Sequence, residues 1–168
     1  YYSNSNQIRL SPSVLNMFAE CKKCFWLKFN KKLERPYTPV ASITNGLDKV
    51  IKEYMDPYRK QGILPPLLEG KIEGLLIKEL PRKLFITKND FILTGMLDEC
   101  ILNNGFYQPF DHKTRISEPA EIHPAHQLQM DFYTFLLEKN GYAVDGTGYL
   151  TYYIPVAGEL HSGLPFSL

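Results

Sequence analysis

The sequence predicts an α/β (α+β) domain: helices first, a run of strands through the middle, then a long helix and a last strand. Three observations predict it. Apolar residues recur at helical spacing after Ser11-Pro12-Ser13 and again after Pro124. The period shortens to two between Lys83 and Thr114. Asn103-Asn104-Gly105 interrupts that stretch with a strong hairpin signal, because Asn and Gly tolerate the positive φ of a tight turn. No repeat or low-complexity tract divides the 168 residues. At 44% hydrophobic and 13% aromatic they suffice for one core, which gives a single domain over residues 1–168.

Each element has a local reason. Ser11 can cap a helix and Pro12 suits its first turn, so VLNMFAECKKCFWLKF reads as one helix, in a region ended by Pro36 and Pro39. A second helix opens near Thr44 or Asn45 and runs to Gly62, with Pro57 placed to kink or break it. Residues 63–80 leave room for a short helix between Leu67 and Leu80. KLFIT (83–87) and FILTGMLDECIL (91–102) read as strands joined by a Lys88-Asn89-Asp90 turn. FYQPFDHKT follows as a third strand, in which Pro109 implies an edge or a non-bonding position. The helix from Pro124 carries an apolar stripe of Leu128, Phe132, Phe135 and Leu136, and Gly141 closes it. GTGYLTYYIPV is the last strand.

Composition narrows the function. No run of about 18 apolar residues could span a membrane, and the N-terminus lacks a secretion signal, so a cytoplasmic location is expected. Three cysteines, Cys21, Cys24 and Cys100, make no secreted disulfide framework. The net charge of +1 is neutral on average but uneven: Lys22, Lys23, Lys28, Lys31, Lys32 and Arg35 lie near one acid, Glu34. That stretch is either a solvated helix face or a surface for phosphates. Phe25 and Trp26 interleave with it and read as helix core, with base stacking as the alternative.

The hairpin sets two acids face to face. If Asn104-Gly105 is a two-residue turn, Asn103 pairs with Phe106, Asp98 falls opposite Asp111 and Met96 opposite Lys113. Opposed residues have Cβ atoms about 4.5–5.5 Å apart, and two carboxylates that close repel unless a cation lies between them. Hard oxygen donors suit Mg²⁺ or Mn²⁺. Lys113, on the same face as Asp111, can orient a water and offset charge developing on a phosphate. The alternative is a pair of solvent-facing acids. Against it stand Ile92, Met96, Cys100, Leu102 and Tyr107, expected on the same face. On the next helix Gln129 and Tyr133 share a face at i, i+4, with His126 one turn before. A tyrosine so placed can also be core with a tied hydroxyl.

LSPSVLNMFAECKKCFWL (10–27), GMLD (95–98), FDHKTR (110–115) and QMDFY (129–133) together resemble the PD-(D/E)XK nuclease superfamily, and within it the RecB-type and CRISPR-associated exonuclease branch. The resemblance runs from Ser11 to the strand at Tyr149–Pro155 and rests on the ordered set G-x-x-D, D-x-K and Q-x-x-x-Y. It implies a restriction-endonuclease-like core: a central mixed sheet with a three-strand meander, a crossover helix and a further strand, flanked by helices. It also implies Asp98, Asp111 and the His112 backbone carbonyl as ligands of Mg²⁺ or Mn²⁺, and Lys113 as the catalytic lysine. Gln129 and Tyr133 would position DNA and that lysine. The implied reaction is hydrolysis of a DNA phosphodiester by water, in an exonuclease or DNA-end processor of repair or recombination. DNA is then the partner, with Lys22, Lys23, Lys28, Lys31, Lys32, Arg35 and Arg115 as candidate contacts. A helicase, recombination or CRISPR assembly is a further candidate partner.

This chain departs from the pattern in two ways. RecB-type members carry a His four residues after a helical Gly. Here Gly46 is followed at that spacing by Val50, which cannot ligate, and Asp48 and Glu53 are the acids on that helix that could stand in. Many relatives also hold a [4Fe–4S] cluster through one early and three late cysteines. Cys21 fits the early position, but no cysteine follows Cys100, so no iron–sulfur cluster is expected in this chain. Cys21 and Cys24 then read as ordinary thiols of the first helix. Relatives continue past the position of the closing LPFSL, so a truncated reading frame is expected. A second reading stays open: a nucleic-acid-binding module of the same fold with weak or absent turnover. A third is a structural domain whose hairpin acids do nothing.

Overall fold

The computed structural model describes residues 7–36, 42–79 and 83–154, with the backbone alone over 42–44. Expectations placed on Pro39, Leu80, Pro155 and the closing LPFSL lie outside them. The architecture is α+β, with two mixed sheets and four α-helices among the described residues.

The expected first helix is two helices. β1 (Ile8–Leu10) leads into α1 (Pro12–Glu20), capped by the Ser11 side chain, which accepts from the Val14 N–H; α2 (Lys22–Lys31) follows at once. Cys21 separates them in an extended conformation (φ −153°, ψ 91°). Its N–H donates to Met17 O at 2.9 Å and its carbonyl accepts from Phe25 N at 3.1 Å, so one residue closes α1 and opens α2. Cysteine is outside the usual capping set, which is why the break carries no sequence signal.

α3 (Ser42–Gln61) continues through Pro57 and stops at Gly62 (φ 75°). Residues 63–79 hold one 3₁₀ turn at Pro66–Leu68 and the short β2 (Leu75–Leu76) rather than a helix. β3 (Lys83–Lys88) and β4 (Phe91–Met96) form a hairpin in which Lys88 pairs with Phe91 across Asn89-Asp90. β5 (Glu99–Asn103) and β6 (Phe106–Thr114) form the second hairpin. Its turn is as expected: Asn104 (φ 49°) and Gly105 (φ 86°) both take positive φ, and Asn103 pairs with Phe106.

The expected meander is divided between two sheets. The 91–102 stretch leaves one sheet after Met96 and enters the other at Glu99. β4 therefore lies between β1 and β3, while the second sheet runs β2-β5-β6-β7, with β7 (Tyr149–Tyr153) parallel to β6. Met96 pairs with Lys83, not Lys113, and Lys113 pairs with Tyr152 of β7. β6 is an inner strand, which removes the edge reading of Pro109. The non-bonding reading holds: the carbonyl of its partner Cys100 turns away to accept from Ile77 N at 3.0 Å.

The second sheet lies between α3 and α4 (Pro124–Lys139), because β6 alternates its side chains. Phe110 packs with Ile51 and Met55 of α3. On the other side Cys100 packs with Met130, Phe132, Tyr133, Leu136 and Leu137 of α4. The buried stripe of α4 is thus rotated from the expected one: Phe135 is exposed, with the Lys139 ammonium 5.6 Å from its ring centre. Gly141 (φ 88°) ends the helix, with Gly141 N–H donating to Glu138 O and Tyr142 N–H to Leu137 O, a Schellman pair.

Candidate active site

Asp111 and Lys113 sit two apart on β6, so both point toward α4. α4 meets them with Gln129, whose amide is shared three ways. Its Nε2 donates to Asp111 Oδ1 and to the Tyr133 hydroxyl, each at 3.0 Å, and its Oε1 accepts from Lys113 Nζ at 3.0 Å. Asp111 is 2% exposed. Its Oδ2 forms an ion pair with Lys113 Nζ, but the approach lacks hydrogen-bond geometry, and that oxygen is buried with no hydrogen bond among the described residues. Burial pushes the Asp111 carboxyl up to about 6; Lys113 pulls it down, and the Asp98 charge adds to the rise. Burial also raises the Tyr133 hydroxyl to about 12, so it stays protonated.

Asp98 lies in the bend just before β5, half-buried. The β5–β6 pairing ends at Glu99 opposite Phe110, so Asp98 is in step with Asp111 one position past the last pair of the ladder. The chain departs there and leaves a gap in the ladder. Arg115 N–H donates to Tyr153 O, which sets the odd-numbered residues of β6 bonding toward β7. The His112 carbonyl therefore turns to the β5 side, where the ladder has stopped. The Asp98 and Asp111 carboxylates interact at this strand break, with the His112 carbonyl on the side where the ladder stops.

Above the pair opens a cleft of about 600 Å³. Lys113, Gln129, Tyr133, His126 and Met96 line it, together with Ser13, Asn16, Lys83 and Thr94, which sequence spacing had not brought in. Lys83 was within reach of the sequence, since the Asn89-Asp90 turn sets it opposite Met96. Ser13 and Asn16 arrive by packing of α1 on α4, a long-range contact with no local signal. Asp98 and Asp111 are not among the lining residues: Lys113 and Gln129 lie between Asp111 and the cleft. His126 is tied to the Tyr152 hydroxyl at 3.1 Å.

The sequence matches no family model and no curated protein. Among solved structures it is similar to one described as the crystal structure of SSO0001, at 18% identity and a TM-score of 0.47. The match covers 92% of this chain and 66% of that one, so this chain spans just under two thirds of its length.

Other expected site residues are placed elsewhere. Val50 is 60% exposed on α3. Asp48 pairs with Lys52 at 2.8 Å and Glu53 with Lys49 at 3.7 Å, along the helix surface. Among the described residues no three His, Cys, Asp or Glu side chains gather at one point. The His112 side chain points toward α3, shares a hydrogen bond with the Tyr153 hydroxyl at 3.1 Å, and is held neutral by burial, which lowers it to about 4. Several of the basic candidates are already engaged: Lys28 with Glu34 at 2.7 Å, Arg35 with Glu20 at 3.0 Å, Lys22 over Phe18, Lys31 over Trp26 and Arg115 over Tyr152. Trp26 is 49% exposed, which corrects its core reading, whereas Phe25 packs edge-on against Phe18.

Proposed function

We propose that this chain is a divalent-metal-dependent deoxyribonuclease of the PD-(D/E)XK type, hydrolysing DNA phosphodiesters. The observation that carries this reading is the buried Asp111 Oδ2, left without a hydrogen bond beside Asp98, Lys113 and the open end of the β5–β6 ladder. The Lys113 ammonium is its ion-pair partner, and a divalent cation would offset the remaining repulsion between the two acids. The donor set is hard oxygen throughout, as Mg²⁺ or Mn²⁺ requires. Asp98, Asp111 and the His112 carbonyl would hold the ion, which when bound supplies a Lewis acid and an acidified water. Lys113 places a positive charge where the phosphate gathers negative charge, and Gln129 with Tyr133 fixes the direction of that lysine.

The exposed Val50 supports a second reading, a nucleic-acid-binding module without turnover, since it takes away one side-chain ligand. One experiment separates them. End-labelled single- and double-stranded DNA is incubated with Mg²⁺ or Mn²⁺ and the chain, beside Asp111→Ala, while thermal unfolding is followed with and without metal. Cleavage and metal stabilisation, both lost in Asp111→Ala, are expected. DNA binding with neither effect would establish the module instead.

A further inference from the structure

The Cys21 and Cys24 sulfurs are 2.6 Å apart, against about 2.05 Å in a formed disulfide. Cys21 caps α2, and its Sγ accepts from the Cys24 N–H at 3.2 Å. The Arg35 guanidinium, anchored by Glu20, lies beside both sulfurs, and Lys22 and Lys23 stand exposed between them. Capping alone does not explain this arrangement. A serine at position 21 would cap as well, and capping calls for no sulfur at position 24. Both thiols are partly accessible, whereas Cys100 is buried with its thiol pushed up to about 12.

We propose that Cys21 and Cys24 form a dithiol that exchanges with disulfides, with Cys21 as the attacking sulfur and Cys24 as the resolving one. Contact with the Cys24 thiol, the Cys24 N–H and Arg35 lowers the Cys21 thiol, which raises its thiolate fraction. The Cys21 thiolate attacks one sulfur of a small disulfide, RS–SR, giving a Cys21–SR bond and releasing RS⁻, which takes up a proton. Cys24, having given up its proton to solvent, attacks Cys21 Sγ; the Cys21–Cys24 bond forms and the second RS⁻ leaves. Two electrons pass from the protein to the disulfide, which departs as two thiols. The new bond would fix the joint between α2, which carries the lysines, and α1, whose Ser13 and Asn16 line the cleft. The proposal is independent of the nuclease reading.

The test uses the whole native chain in glutathione buffers of graded ratio, trapped by alkylation and mapped by peptide mass. Loss of both thiols together as a Cys21–Cys24 cross-link is expected, with Cys100 alkylated only after unfolding. Cys24→Ser should accumulate a mixed disulfide on Cys21. Cys21→Ser, which keeps a cap, should react about tenfold more slowly or worse, and Arg35→Ala should slow the wild-type reaction. Separate glutathione adducts on the two cysteines, reaction first at Cys100, or an inert Cys24→Ser beside a reactive Cys21→Ser would each overturn the proposal.

Discussion

Gln129 holds Asp111 by a 3.0 Å hydrogen bond from its amide Nε2 to the carboxylate Oδ1, and the same amide receives Lys113 on its other atom. One neutral side chain thus sets the relative position of the two charged groups. Gln129→Ala leaves both charges in place but removes their guide. Loss of such a supporting partner typically costs about 10–100-fold in activity or metal affinity. Steady-state cleavage at saturating Mg²⁺ should show that loss, and the variant should also be less stable by about 1–3 kcal/mol, because Asp111 Oδ1 loses its hydrogen bond. Full activity in this variant would show that Lys113 needs no help from α4.

Asp111 carries an unfavourable charge for its surroundings. Burial raises its folded pKa above the unfolded value, so the ionised form penalises the fold at neutral pH; the penalty shrinks as pH falls below about 6 and is gone only below the ordinary carboxylate range. Asp111→Asn keeps the shape and removes the charge. With a chelator present, its melting temperature at neutral pH should match or exceed wild type, and the gap should narrow on acidification. Its cleavage rate should fall on the order of a hundredfold or more. A variant less stable than wild type at neutral pH would mean that the Asp111–Lys113 pair is structural.

Gly95 explains the first letter of the G-x-x-D pattern. A Cβ there would lie 2.7 Å from Leu136 Cδ1 and 3.0 Å from the Tyr133 ring, both fully packed on α4. Gly95→Ala should cost about 1–3 kcal/mol by overpacking, read as a shift in urea midpoint. Because the displaced ring belongs to Tyr133, cleavage should fall as well. A destabilised variant of unchanged activity would detach Tyr133 from the reaction.

What the sequence revealed follows the range of the forces involved. The Asn104-Gly105 turn is local chemistry, so the β5–β6 register was legible as far as Glu99 opposite Phe110, one position short of Asp98 and Asp111. The break at Leu97–Asp98 is not local: β4 is claimed by β1 and β3, and only that tertiary choice separates Met96 from Lys113. Cys21 failed for a different reason, since a thiol cap looks like any residue within an amphipathic helix. Gln129 and Tyr133 were legible by helical spacing, but their link to Asp111 needed the layer order.

The basic surface of α2 should bind DNA through fewer charges than its composition indicates. Among the described residues Lys23 and Lys32 carry no ion pair, Lys31 is held only over Trp26, and Lys28 is tied to Glu34. Replacing Lys23, Lys31 and Lys32 by Ala should lower the slope of log affinity against log salt by about two to three, at about 0.7–0.9 per phosphate contact. Lys28→Ala alone should change it little. An unaltered slope in the triple variant would make this face solvated rather than a contact surface.

Arg59 of α3 reaches across to Glu99 of β5, donating from Nε to Oε2 at 2.6 Å and pairing through its other nitrogens with Glu99 and Asp56. Glu99 is 5% exposed, and that fork supplies the hydrogen bonds its buried carboxylate needs. It also immediately follows Asp98, which makes the pair a brace for the strand break beneath the candidate site. Arg59→Ala would strand a buried carboxylate at a cost of about 3 kcal/mol or more, measurable as a lower urea midpoint. Arg59→Lys keeps the charge but not the two-pronged geometry, and should recover only part of the loss. A double variant with Arg59→Met and Glu99→Gln removes both charges and should be more stable than Arg59→Ala. If the double variant is no better, the cost lies in lost packing between α3 and β5 rather than in the unpaired charge.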